Sequence, residues 1–147
     1  MKRFIICALI IAFMSSSACA EICEFKYFSL NIPEGWSASE KILENGASMV
    51  AVLPDDDNIP GAIAITSGSP GDLTIKEIAE NYSKNFNGTK PESGDDGIYI
   101  FEFNNGKSFA MIDGNENFYM FTAITATDEA SESNKILLEI LDSMELK

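Results

Sequence analysis

The chain of 147 residues contains no histidine. This gap removes the side chain most used for proton transfer near neutral pH and for zinc, and with it any Ser-His-Asp or Cys-His nucleophile. Arginine is almost missing as well: Arg3 stands beside Lys2 at the N-terminus, and every other basic residue is lysine. The chain therefore has little of the side chain best shaped for bidentate phosphate binding. Neither Gly-x-Gly-x-x-Gly nor the full phosphate loop Gly-x-x-x-x-Gly-Lys-Ser/Thr occurs, so the usual backbone cradles for dinucleotides and nucleotide phosphates are lacking. We expect a chain that is not an enzyme and holds no cofactor.

Long apolar runs are scarce too, apart from one at the start. Met1-Lys2-Arg3 is basic, Phe4 to Met14 is an apolar run of 11 residues, and Ser15 to Ala20 is a small-residue stretch ending Ala-x-Ala. Eleven residues fall well short of the roughly 20 that a membrane-spanning helix needs. The pattern reads as a secretory signal, residues 1–20, cleaved after Ala20, which sends the rest to a periplasmic or extracellular space. The alternatives are an uncleaved membrane anchor, which the short run disfavours, and a lipid anchor through Cys19. Ser-Ser-Ala-Cys partly resembles a bacterial lipobox, although Ser16 stands where that box has Leu.

Cleavage after Ala20 takes 20 of the 147 residues and leaves 127, an ordinary size for one domain able to fold without staples. We expect residues 21–147 to form one α+β domain. Of the three cysteines, Cys7 and Cys19 lie in the signal and Cys23 remains alone, so no internal disulfide can form. With no His and no second Cys beside it to activate the thiol, a quiet Cys23 is the simpler reading. The whole chain carries a net charge of −13, and loss of Lys2 and Arg3 leaves eight lysines against 23 acids, a net of −15. Such a surface repels nucleic acid and anionic lipid.

Phe28, Leu30 and Ile32 alternate with Ser29 and Asn31, the period of a strand with one buried face. Pro33-Glu34-Gly35 then turns the chain toward Trp36. This strand is expected to begin the sheet. Asn45-Gly46, suited to a two-residue hairpin turn, separates a mixed arm from Met49, Val50, Val52 and Leu53. After the polar loop Pro54 to Gly61, Ala62 to Thr66 returns as a strand. Thr74 and Glu77 have capping-box spacing, and Ile75, Ile78, Ala79, Tyr82 and Phe86 form a helical stripe expected to pack on the sheet. Asn87-Gly88 suits a left-handed cap.

Thr89 to Gly97 reads as a loop or frayed edge strand. A meander follows: Ile98 to Phe103, Lys107 to Ile112 and Phe118 to Ala126, with same-face pairs Phe101/Phe103, Phe109/Met111 and Tyr119/Phe121. Thr127 or Asp128 can cap a last helix, whose apolar positions are Ile136, Leu137, Ile140, Leu141 and Met144. Strands then a helix, twice over with hairpin-length turns, predict an α+β fold: an antiparallel β-sheet with helices packed on it.

The order Phe-Ser-Leu-x-Ile-Pro-x-Gly-Trp over Phe28 to Trp36, then a hairpin, a helix, a meander and a last helix ending Ile-Leu-Asp-Ser-Met at Met144, resembles the PsbP-like superfamily, which includes PsbP and DcrB-like envelope proteins. The resemblance implies an α-β-α sandwich and a non-catalytic binding or accessory role, docking on larger assemblies. It carries no ligand residues onto this chain.

Carboxylates are the remaining chemistry. Asp55-Asp56-Asp57-Asn58 and Asp113-Gly114-Asn115-Glu116-Asn117 gather the oxygen donors that calcium uses, yet neither follows the 12-residue calcium loop. Turn formation accounts for both. Asn81 and Asn87 head Asn-x-Ser/Thr triplets, which we attribute to chance. The expected role is an exported, monomeric or weakly associating protein that binds an unidentified protein partner through a sheet edge or an exposed aromatic patch, with Trp36 and the loop Asp55 to Gly61 as features to watch. A small-ligand or divalent-cation binder using the acidic turns is the alternative.

Overall fold

The structure, a computed structural model, describes residues 21–103, 106–114, 116–124 and 132–147. The proposed signal and the caps expected at Thr127 or Asp128 lie outside the described residues. In chain order the elements are β1 Glu21–Glu24, β2 Phe28–Ile32, β3 Trp36–Ile42, β4 Ser48–Pro54, β5 Ala62–Gly68 and α1 Ile75–Asn85. The chain continues with β6 Glu92–Ser93, β7 Tyr99–Phe103, β8 Gly106–Gly114, β9 Asn117–Ile124, α2 Glu132–Asp142 and β10 Glu145–Leu146. Every ladder is antiparallel.

The strands form two sheets, one of seven strands in the order β3-β4-β5-β9-β8-β7-β6 and one of three in the order β1-β2-β10. This corrects the expectation for Phe28 to Ile32. That strand does not begin the large sheet but sits in the middle of the small one, laid across a face of the large. Its alternation is correspondingly incomplete: Ser29 is buried with its apolar neighbours, because β10 pairs along β2 with Glu145 opposite Ser29. The turn after it is as expected, closed by the Trp36 N–H donating to the Pro33 carbonyl at 3.2 Å.

The first core lies between the sheets. Phe28, Leu30 and Ile32 meet Trp36, Val50, Val52, Ile63, Ile65, Tyr119 and Phe121, with Leu137 and Ile140 of α2 closing the side. A second, smaller core lies on the opposite face of the large sheet, where Ile78 and Ala79 of α1 pack on Phe101, Phe118 and Met120. The order is thus helix and small sheet, large sheet, helix. Strand β9 holds the middle of the large sheet and is apolar on both faces, with Phe118 and Met120 in one core and Tyr119 and Phe121 in the other. A strand covered on both sides loses its alternation, as the run Phe-Tyr-Met-Phe does.

Local rules account for most boundaries. Thr74 and Glu77 make the full capping box, with the Glu77 N–H donating to Thr74 Oγ1 at 3.2 Å and the Thr74 N–H donating to Glu77 Oε2 at 2.8 Å. Asn87 adopts the left-handed region at φ 52°. Next to it Gly88 lies against β7, where an added Cβ would stand 2.9 Å from the Glu102 carbonyl oxygen and 3.0 Å from a Phe101 ring carbon.

Two expectations are corrected here. The β3–β4 hairpin does not have a two-residue turn. The Leu43 N–H donates to the Ala47 carbonyl and the Gly46 N–H to the Leu43 carbonyl, so Glu44-Asn45-Gly46 is a three-residue loop in which Gly46, at φ 81°, takes the left-handed position. The pair Phe109/Met111 does not repeat at period two, because a register shift between them sets Phe109 opposite Phe121 and Met111 opposite Met120. One extra residue in a bulge has this effect.

Candidate functional site

Trp36, one of the features singled out in the sequence, is 7% exposed and belongs to the first core, so its indole is a packing group. The loop Asp55 to Gly61 behaves as a self-satisfied turn. Asp56 accepts from the Asn58 backbone N–H at 2.9 Å and from its side-chain amide at 2.8 Å, and these bonds lower its carboxyl pKa. Asp55 accepts a hydrogen bond from Ser37 Oγ, and its own N–H donates to the Gly35 carbonyl at 2.8 Å. These carboxylates are engaged by the turn itself. In the second acidic turn Glu116 is exposed and takes a left-handed φ of 68°, while Asn115 lies outside the described residues. Among the described residues, no three Asp, Glu, Cys or His side chains converge as a metal site would require.

Cys23 sits half-buried on β1 opposite Leu30. Burial first, and then the charge of Glu21, push its thiol above the ordinary value, so the nucleophilic thiolate is disfavoured.

Two surfaces remain that sequence reasoning did not resolve. One is aromatic. Phe86, assigned to the helix stripe, lies just past the last turn of α1 and is 48% exposed. Its ring stacks on Tyr82 with centroids 6.4 Å apart and on Phe103 at 5.8 Å, beside a shallow hollow lined by Asn87, Gly88, Thr89 and Glu102. The signal was present in Asn87-Gly88, which ends the helical register one residue after Phe86.

The other surface is half of a sheet face. Along β4, Val50 and Val52 point into the first core and are 0% exposed, whereas Met49 and Leu53 on the reverse face are 38% and 51% exposed. The registers build three rows across this reverse face: Lys41 beside Met49 and Thr66, Ser39 beside Ala51 and Ala64, and Ser37 beside Leu53. Helix α1 contacts β7 and β8 and covers Phe118 and Met120 of β9, and Thr66 at one end of β5 is buried, whereas β3, β4 and the Ala62 to Ala64 part of β5 carry no helix among the described residues. Strand β3, seven residues long, also forms one edge of the large sheet, while the opposite edge is the two-residue β6. A sheet edge and an apolar patch of this kind are both means of capturing another chain.

An antiparallel sheet with helices packed on it and a small sheet closing the first core defines an α+β sandwich. The fold is similar to that of a cyanobacterial PsbP from Synechocystis, whose solution structure superposes with a TM-score of 0.55 at 13% sequence identity, over 90% of this chain and 96% of that one. The chain has the PsbP-like fold. No protein-family model matches the sequence, and no curated protein matches it. No helix among the described residues is long and apolar enough to cross a membrane.

Proposed function

We propose that the chain is exported, loses residues 1–20, and that residues 21–147 act as a non-catalytic accessory module that docks on a protein partner through the open half of the large sheet. The observation that supports this most is the contrast along β4, sealed on one side and, among the described residues, without a covering helix on the other. Contiguous apolar surface left uncovered on a small chain marks an interaction site more often than chance exposure. The PsbP-like fold and the accessory role that the resemblance implies agree with it.

Photo-crosslinking in the native compartment tests the reading. A crosslinker at Ser39 on β3 is expected to give a discrete protein adduct that one at Leu138, 60% exposed on α2, does not. No adduct from Ser39, or the same bands from both positions, contradicts it. Mass spectrometry of the exported protein tests the leader: a mature chain beginning at Glu21 agrees with cleavage, and one beginning at an acylated Cys19 replaces it with a lipid anchor. Because no three carboxylates converge among the described residues to chelate a cation, millimolar calcium is expected to leave the melting temperature unchanged, and a rise would support cation binding instead.

A further inference from the structure

The open half-face has a definite size, floor and charge. Strands stand about 4.8 Å apart, so β3, β4 and β5 span roughly 14 Å, enough for one helix of about 10 Å diameter and too little for two. The middle row, Ser39, Ala51 and Ala64, is small, while Met49 and Leu53 rise on the rows either side of it. Small side chains let a helix backbone approach a sheet closely. Ala79 does the same for α1 on the neighbouring half, where it is fully buried.

The seat also has acidic ends. Because Ser37 Oγ donates to Asp55, that carboxylate stands at the Leu53 end of the face, followed by Asp56, whose bonds to Asn58 hold it ionised, and Asp57. At the other end a hollow of about 300 Å³ is lined by Asn45, Leu73, Ile78, Asn81 and Tyr82. Phe118 also lines it and pairs with Gly68, two residues along β5 from Thr66, the residue opposite Met49, so this hollow lies at the Met49 end of the rows. Asp72 directly precedes Leu73 of its lining, while the nearby Glu77 carboxylate is taken up by Thr74. Lys41 is the one cation on the three rows, and the chain as a whole is at −13. A second copy of the chain, an anionic lipid surface or a nucleic acid would each bring like charge to these ends.

We propose that this half-face seats a single amphipathic helix of a partner protein, its apolar stripe on Met49, Ala51, Leu53 and Ala64 and its lysines or arginines toward the acidic ends. The inference rests on the protein-docking reading above and specifies what docks. It is the helix-in-groove mode of recognition, with α1 as one wall and the sheet as floor.

The test uses the exported protein and a synthetic Leu/Lys amphipathic peptide of roughly 14 residues as the probe, followed by calorimetry and by NMR shift mapping. The Leu/Lys peptide is expected to bind and to shift Met49, Ala51 and Leu53, while a Leu/Glu peptide with the same apolar stripe binds far more weakly. Ala51→Gln and Leu53→Gln, neutral and on the seat, are each expected to weaken binding about tenfold. Leu138→Gln, on α2, leaves binding unchanged. Circular dichroism melts check that all three variants remain folded.

Equal binding by the seat variants and the wild type overturns the proposal, since charge alone would then hold the peptide. So does the absence of binding, or a wild-type dimer in sedimentation that Leu53→Gln abolishes, which would make the occupant a second copy. Leu53-dependent binding to anionic vesicles would instead make it a lipid surface. If Ser39 crosslinks to a protein in the native compartment and the peptide nonetheless fails to bind, the docking role stands and the helix is wrong.

Discussion

Phe86 is where helical spacing and actual burial part company. The ring falls at the end of the Ile75, Ile78, Tyr82 stripe in sequence, but it sits at the C-cap, half in solvent, and its contacts are the rings of Tyr82 and Phe103. Phe86→Ala should therefore cost only about 1–2.5 kcal/mol, half of a phenylalanine's burial plus its ring pairing, instead of the roughly 3–5 kcal/mol of a core phenylalanine. Chemical denaturation measures the difference, and a loss in the core range would return Phe86 to the interior. Ser67 presents the opposite case. It is fully buried on β5, and its hydroxyl has no hydrogen-bond partner among the described residues. Removing a buried polar group that satisfies nothing is close to neutral or stabilising. Ser67→Ala should accordingly hold or raise the midpoint of unfolding, and a loss of more than about 1 kcal/mol would reveal a partner for that oxygen.

At the scale of elements, α1 is tied to pH through its N-terminus. Thr74→Ala removes the cap hydroxyl and should lower stability by about 1 kcal/mol near neutral pH. The backbone N–H and the hydroxyl of Thr74 both donate to the Glu77 carboxylate and lower its pKa. A depressed carboxyl pKa contributes stability above the unfolded value, and that contribution is lost as pH falls through the folded one. The variant has already lost the hydroxyl's share. The gap between wild-type and Thr74→Ala melting temperatures should therefore narrow as pH drops through the lowered Glu77 pKa, and a constant gap would show that the hydroxyl does not act on that carboxylate.

Much of this level could be read from residues alone. The capping box, the left-handed Asn87 and the β7–β8–β9 meander all follow from spacing and turn chemistry, which are local. What could not be read depends on distant partners. Nothing near Phe28 says that β10, more than 100 residues later, will pair with β2 and draw it out of the large sheet. Nothing near Phe109 says that its ladder to β9 takes up an extra residue. Asn45-Gly46 marked the right turn, but loop length is set by how the two arms twist together, and one left-handed residue was enough. The candidate docking face was the least legible part. Ser37, Ser39, Ala51 and Ala64 look like the unremarkable outer positions of strands, and only the placement of α1 over β7 and β8 leaves them without a helix among the described residues.

For the molecule as a whole, the decisive fact is an uneven covering of one sheet. Its first face is closed from β3 to β9 by the small sheet and α2, whereas on its second, among the described residues, the 11-residue helix α1 covers β7, β8 and β9 and does not reach β3 and β4. Strong negative charge then favours a cationic visitor on the remaining part. The two methionines report on this directly, since Met120 lies beneath α1 at 1% exposure and Met49 lies on the bare half. Oxidative footprinting of the purified protein and of the protein in its native compartment, read by mass spectrometry, compares them in one experiment. Rapid oxidation of Met49 but not Met120 in the purified protein, with Met49 becoming protected in the native compartment, is the expected result; Met49 as slow as Met120 in the purified protein would mean that the half-face is closed and the account is wrong.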